Sequence, residues 1–98
     1  MAADLRDVDP AELRLPRSRS SGADPVKLHR QIAKHGQSIA GMPPLIAYEG
    51  SDGVLELWDG VTRATRVAKL LPGTTVQVEV IGKFKRPMAN NRRVGDAL

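Results

Sequence analysis

The chain contains no cysteine. Disulfides, thiolate metal sites and a cysteine nucleophile are thereby excluded, and the absence fits a reducing compartment. Aromatic residues are almost missing as well: one Trp, one Tyr and one Phe stand among 98 residues. A core must then be built from Val, Leu, Ile and Ala, and in so short a chain it buries a smaller share of surface than in a large domain. No apolar run approaches the ~20 residues that span a bilayer. The N-terminus is acidic and lacks an apolar stretch, so no signal peptide is expected. Only two histidines occur, His29 and His35. Their separation is off the i, i+4 spacing that sets two ligands on one helical face. No run of His and carboxylates has metal-ligand spacing. The expectation is a cytoplasmic protein without a metal site.

What is present is charge, unevenly distributed. Residues 1–60 carry seven basic and nine acidic side chains, whereas residues 61–98 carry eight basic and two acidic. The net charge is +4, and the basic half points to a polyanionic partner, a nucleotide or nucleic acid. A length of 98 residues suits one domain. Its expected parts are a flexible N-terminus over 1–9, a folded domain over 10–82 and a basic tail over 83–98.

Within the domain the elements alternate. A short strand is expected near Glu12–Leu15, followed by an Arg-containing loop over Pro16–Gly22. Asp24-Pro25 is a helix start, Asp as cap and Pro in the first helical position. Leu28 and Ile32 share a face of that helix, and Gly36 ends it. Gln37–Met42 reads as a further helical turn, stopped by Pro43-Pro44. Leu45–Tyr48 and Val54–Trp58 form a hairpin about the Asp52-Gly53 turn. A helix begins near Thr62, with Ala64, Val67, Ala68 and Leu71 on its core face. Val76, Val78 and Val80 alternate with polar residues, so Thr75–Ile81 is a strand. The expected fold is a single small mixed α/β (α+β) sheet of three to four strands with two main helices. The tail from Lys83 has no period and reads as disordered or as a partner-dependent arm.

Chemistry concentrates in Asp59-Gly-Val-Thr-Arg63. A strand, a glycine turn and a helix start place free N–H groups where an anion binds. Gly60 allows close approach, and Thr62 supplies a cap or a hydroxyl donor. Arg63 and Arg66 lie in the first turns of the helix, where positive charge opposes the dipole unless an anion is bound. Two roles stand open for Arg63: an anion ligand, or an ion pair with Asp59 or Glu56. Trp58 is either core or a surface for base stacking. Lys83, Lys85, Arg86, Arg92 and Arg93 are either phosphate contacts or a solvated tail.

The segment resembles the signature of the ParB/sulfiredoxin superfamily. Pro16-Arg-Ser-Arg19 is similar to its arginine loop, Leu28–Gly36 followed by Pro44-Leu-Ile46 to its helix–Gly–Pro–strand passage, and Asp59-Gly-Val-Thr-Arg63 to its phosphate motif. The resemblance runs over residues 8–82 and implies a ParB N-terminal-like domain that binds nucleotide or DNA, the nucleotide with Mg²⁺. Val61 and Thr62 stand where the family's nucleotide motif has Glu and its first Arg, and the sulfiredoxin cysteine is absent. Three functions are carried forward: a phosphate-binding module using Gly60, Thr62, Arg63, Arg66, Arg17 and Arg19; a small nuclease or NTPase in which Asp59 orients water or metal; and a protein-interaction subunit, homo-oligomeric or with another partner.

Overall fold

The computed structural model describes residues 3–98, which form a four-stranded mixed sheet with two α-helices. The strands are β1 (Leu5–Val8), β2 (Leu45–Glu49), β3 (Leu55–Asp59) and β4 (Val76–Lys83). Their order is β1-β4-β2-β3, with β2 and β4 parallel and the other pairs antiparallel. Helix α1 spans Pro25–His35 and α2 spans Val61–Leu70. This is the small α+β architecture that the sequence implies. No helix among the described residues is long and apolar enough to cross a membrane.

Helix α2 carries the core. Ala64 and Val67 are fully enclosed and Ala68 nearly so, in one cluster with Leu45, Ala47, Leu57 and Val78. The alternating valines of β4 point into it as their period requires. Helix α1 starts as its sequence directs: the Asp24 carboxylate accepts from the Val26 and Lys27 N–H groups at 2.8 and 3.3 Å. Its stripe is shallower than the pattern suggests. Leu28 and Ile32 are half-buried against α2, and no residue of α1 is fully buried.

Four expectations are corrected. Gln37–Met42 forms turns and no helix, since Gly41 takes a positive φ of 70°. The N-terminal segment is not frayed over Leu5–Val8, which pairs with Glu79–Val76 of β4; its first two residues lie outside the described residues. The strand expected near Glu12–Leu15 is not formed: Leu13–Leu15 makes only isolated bridges at Arg14, and Pro10–Glu12 before it is a 3-10 turn. Arg14 donates to and accepts from the backbone of β3 at Leu55 and Leu57, both at 2.9 Å.

The largest correction is the tail. Arg92–Val94 pairs with Leu13–Leu15 through Leu15 N–H to Arg92 O and Val94 N–H to Leu13 O, both 2.8 Å. Met88 and Val94 are completely enclosed. Isolated apolar anchors of this kind leave no periodic trace, which is why the segment reads as tail. Asp52 fixes its near end. Burial works against ionisation of this carboxyl, but N–H bonds from Met88, Ala89 and Val54 outweigh it and hold the group below the usual Asp range.

Met88→Ala should therefore cost ~2–5 kcal/mol, the range for truncating a buried Met, read by denaturant unfolding. A cost below ~0.5 kcal/mol, typical of a surface change, would mean the segment is not part of the core. The Asp52 contribution has the sign of a depressed carboxyl. The folded state binds that proton more weakly than the unfolded chain, so stability is complete above about pH 3.9 and falls as the pH drops below it. Asp52→Asn should flatten the acid limb of a stability–pH curve.

Candidate anion site at the start of α2

Strand β3 delivers Trp58 and Asp59 to the edge of the core, and the chain must then turn sharply into α2. Gly60 makes that turn at φ 105°. A β-carbon there would be strained in backbone and would also come within 2.5 Å of Leu45 Cδ2. The Gly60 carbonyl accepts the first helical bond, from the Ala64 N–H at 2.8 Å. No side chain caps the helix. The first-turn N–H groups of α2 therefore face outward without a side-chain partner, carrying the positive end of the dipole.

These groups border a cleft of about 240 Å³. Gly60, Thr62 and Arg63 line it from α2, and Arg19 reaches it from the 3-10 turn Arg17–Arg19. Lys27 and Gln31 line it from α1. The structure thus brings together Gly60, Thr62, Arg63 and Arg19, as the sequence suggests. It adds Lys27, which sequence reasoning missed. Lys27 and Gln31 are one turn apart on α1, and their register beside Leu28 and Ile32 was readable. What was not readable is that this flank of α1 packs beside the start of α2.

Asp59 is the one carboxylate lining the cleft. Arg63 holds it: Nη2 donates to Asp59 Oδ2 at 3.2 Å, and Nη1 donates to the Pro43 carbonyl at 2.9 Å. Of the two roles open for Arg63, the ion pair is therefore present, though with Asp59 largely exposed it is worth at most ~1 kcal/mol. Among the described residues no three His, Asp or Glu side chains gather into a metal-binding group. Asp59 is thus the one carboxylate of the lining that could face a Mg²⁺, an ion that takes most of its ligands from phosphate and water.

Two residues leave the expected cluster. Arg17 lies elsewhere, beside Asn90, Asn91 and Arg92. Arg66 is 2% exposed and points beneath the loop after α1. Its Nη1 donates to the Gly36 and Ser38 carbonyls at 2.8 and 2.9 Å, and Nη2 to Met42 Sδ at 3.7 Å. Burial pushes this guanidinium below its ordinary pKa, and no carboxylate pairs with it among the described residues. Arg66 pins α2 to the loop 36–42 and does not line the cleft.

The basic residues of the last segment are also engaged internally. Arg93 pairs with Glu12 and Asp96, both at 3.0 Å. Arg92 donates to the Ser20 and Asp96 carbonyls. Lys83 lies 3.7 Å from Glu49 and Arg86 3.6 Å from Glu56, yet both remain substantially exposed. Lys85 is exposed. Trp58 is not core, at 67% exposure. No protein-family model matches the chain, and no curated protein shows significant similarity to it.

Arg66→Ala should destabilise the fold by about 1.5–3 kcal/mol, the range for hydrogen bonds from a charged donor, because two loop carbonyls lose their donor. Thermal unfolding with unchanged midpoint would show that the loop does not need the arginine.

Proposed function

We propose that the chain is a phosphate-binding module whose ligand is a nucleotide or nucleic acid, held at the start of α2. One observation carries this reading: an uncapped helix N-terminus opening on a cleft that Arg19, Lys27 and Arg63 surround from three separate elements. Three cations converge there against the single carboxylate of Asp59, an arrangement that a phosphate would neutralise and that repels itself when empty.

The resemblance of Asp59–Arg63 to the ParB/sulfiredoxin signature agrees with this proposal, since the same strand–turn–helix carries the motif. Arg63 and the N–H groups of the turn would bind the phosphate, with Arg19 and Lys27 closing over it. Arg66 and Arg17 take no part. Binding is preferred to hydrolysis because Asp59, the residue a nuclease or NTPase would rely on, is the single carboxylate of the cleft. The cysteine-free composition is in keeping with a cytoplasmic setting.

Inorganic pyrophosphate and ADP, each with and without Mg²⁺, are suitable probes. A ligand present at about 100 times its Kd adds ~2.7 kcal/mol of stability, which a thermal melt resolves easily. The double substitution Arg19→Ala/Lys27→Ala should abolish that shift while moving the free protein by no more than ~0.5 kcal/mol, as surface changes do. Equal shifts in the variant and the parent protein would remove the site.

A further inference from the structure

The chain's only Trp, Tyr and Phe stand together on the sheet, away from the core. The Tyr48 and Phe84 rings stack with centroids 4.6 Å apart, and Trp58 meets Tyr48 edge-on at 6.1 Å. The Arg86 guanidinium lies 5.2 Å from the Phe84 centroid. Tyr48 sits opposite Glu56 in the register of β2 and β3, and Trp58 stands at the irregularity in that pairing, between Leu57 and Asp59, with its ring beside Tyr48. The result is a row: Trp58, Tyr48, Phe84, Arg86.

Three aromatics gathered outside the core are a poor use of apolar area if the aim is stability. Trp58 in particular leaves two thirds of its surface in water. Its ring is nonetheless held by Tyr48, and Tyr48 by Phe84, so the indole is a supported platform. Beneath it runs a cleft of about 480 Å³ that shares Arg19, Trp58 and Val61 with the cleft at the start of α2. Arg86 stands at the other end of the row, partly exposed and 3.6 Å from Glu56.

We propose that this face binds single-stranded nucleic acid, a base stacking on Trp58 while successive phosphates lie at the start of α2 and beside Arg86. The phosphate half of this proposal rests on the function proposed above; the stacking half does not. Cations at both ends of an aromatic row match a polyanion that also offers ring faces. An intact duplex presents no free ring face to Trp58. A mononucleotide would engage Trp58 and the α2 cleft but leave Arg86 unused. The aromatic row therefore selects a strand over either.

Trp58 is the sole tryptophan, so its emission reports the contact directly. An oligothymidylate of about twelve nucleotides, within the span one binding fold covers, should quench that emission saturably when titrated into the full chain. The same length of duplex should quench far less. Trp58→Ala should weaken binding of a fluorescein-labelled oligothymidylate about 5–150-fold, the span for one base–aromatic stack. Trp58→Phe should restore most of it. Arg86→Ala should weaken the oligonucleotide and leave ADP affinity unchanged. The same variant should lower the salt slope by ~0.7, the amount for one phosphate of a single strand no longer neutralised.

Equal quenching by duplex, or oligonucleotide affinity unchanged in Trp58→Ala, would overturn the proposal. So would a dimer that dissociates on Trp58→Ala, since the face would then belong to a second copy of the chain. Failure of the α2 phosphate site reads differently: Arg19→Ala/Lys27→Ala would leave the oligonucleotide affinity intact while Trp58→Ala still weakened it.

Discussion

The junction between β3 and α2 is the constraint on which the fold and the site both depend. Gly60 takes a φ that side chains resist, in a space that Leu45 leaves for no β-carbon. That turn aims α2 back across the sheet, so that Ala64 and Val67 meet Leu45 and Leu57 in the core. The same turn leaves the helix start without a side-chain cap. A Ser or Asp at this position would close the first-turn N–H groups and clash with the core. The geometry that packs the helix is thus the geometry that keeps its positive end open. Arg63 then ties the junction to the preceding loop through the Pro43 carbonyl.

The two arginines of α2 illustrate how similar residues divide their tasks. Three positions apart, Arg63 and Arg66 are not on the same line of the helix, and the difference in angle decides their surroundings. Arg63 is turned toward the cleft and its flank is partly wet; Arg66 is turned under the loop 36–42 and is enclosed. A guanidinium without a carboxylate inside a protein is expensive to desolvate, and here backbone carbonyls supply what negative potential it meets. The two roles are complementary: Arg63 ties the helix start to Pro43 and Asp59 at the cleft, and Arg66 ties the next turn to the carbonyls of Gly36 and Ser38.

Much of this was legible in the sequence because it is periodic or local. The valines of β4, the stripe Ala64–Val67–Ala68, the Asp24-Pro25 start and the Asp52-Gly53 turn each announce their element through spacing or turn chemistry. The candidate cleft was legible in its chain-local part, Gly60, Thr62 and Arg63. Long-range pairings were not. Lys27 joins the cleft through the packing of α1 on α2, and Met88 and Val94 enter the core as single residues with no repeat around them. Arg92 and Arg93 looked like a solvated arm because composition records charge and not partner; Glu12, Ser20 and Asp96 absorb them. Trp58 looked like core because most tryptophans are.

The pairing of Leu13–Leu15 with Arg92–Val94 also bears on how the chain is made. A ribosome delivers the first of these segments long before the second, at roughly 5–20 residues per second. In that interval, on the order of 4–16 s by the same rates, the Leu13–Leu15 backbone has an empty edge. Contacts between such distant residues must bear loop closure before they return any stability, which makes folding slow. The four strands are complete once Lys83 has been made, but the edge at Leu13–Leu15 stays unfilled until Val94 follows, so this corner of the domain closes last. Until then its leucines are the kind of transiently exposed apolar surface that makes partly folded chains prone to aggregate.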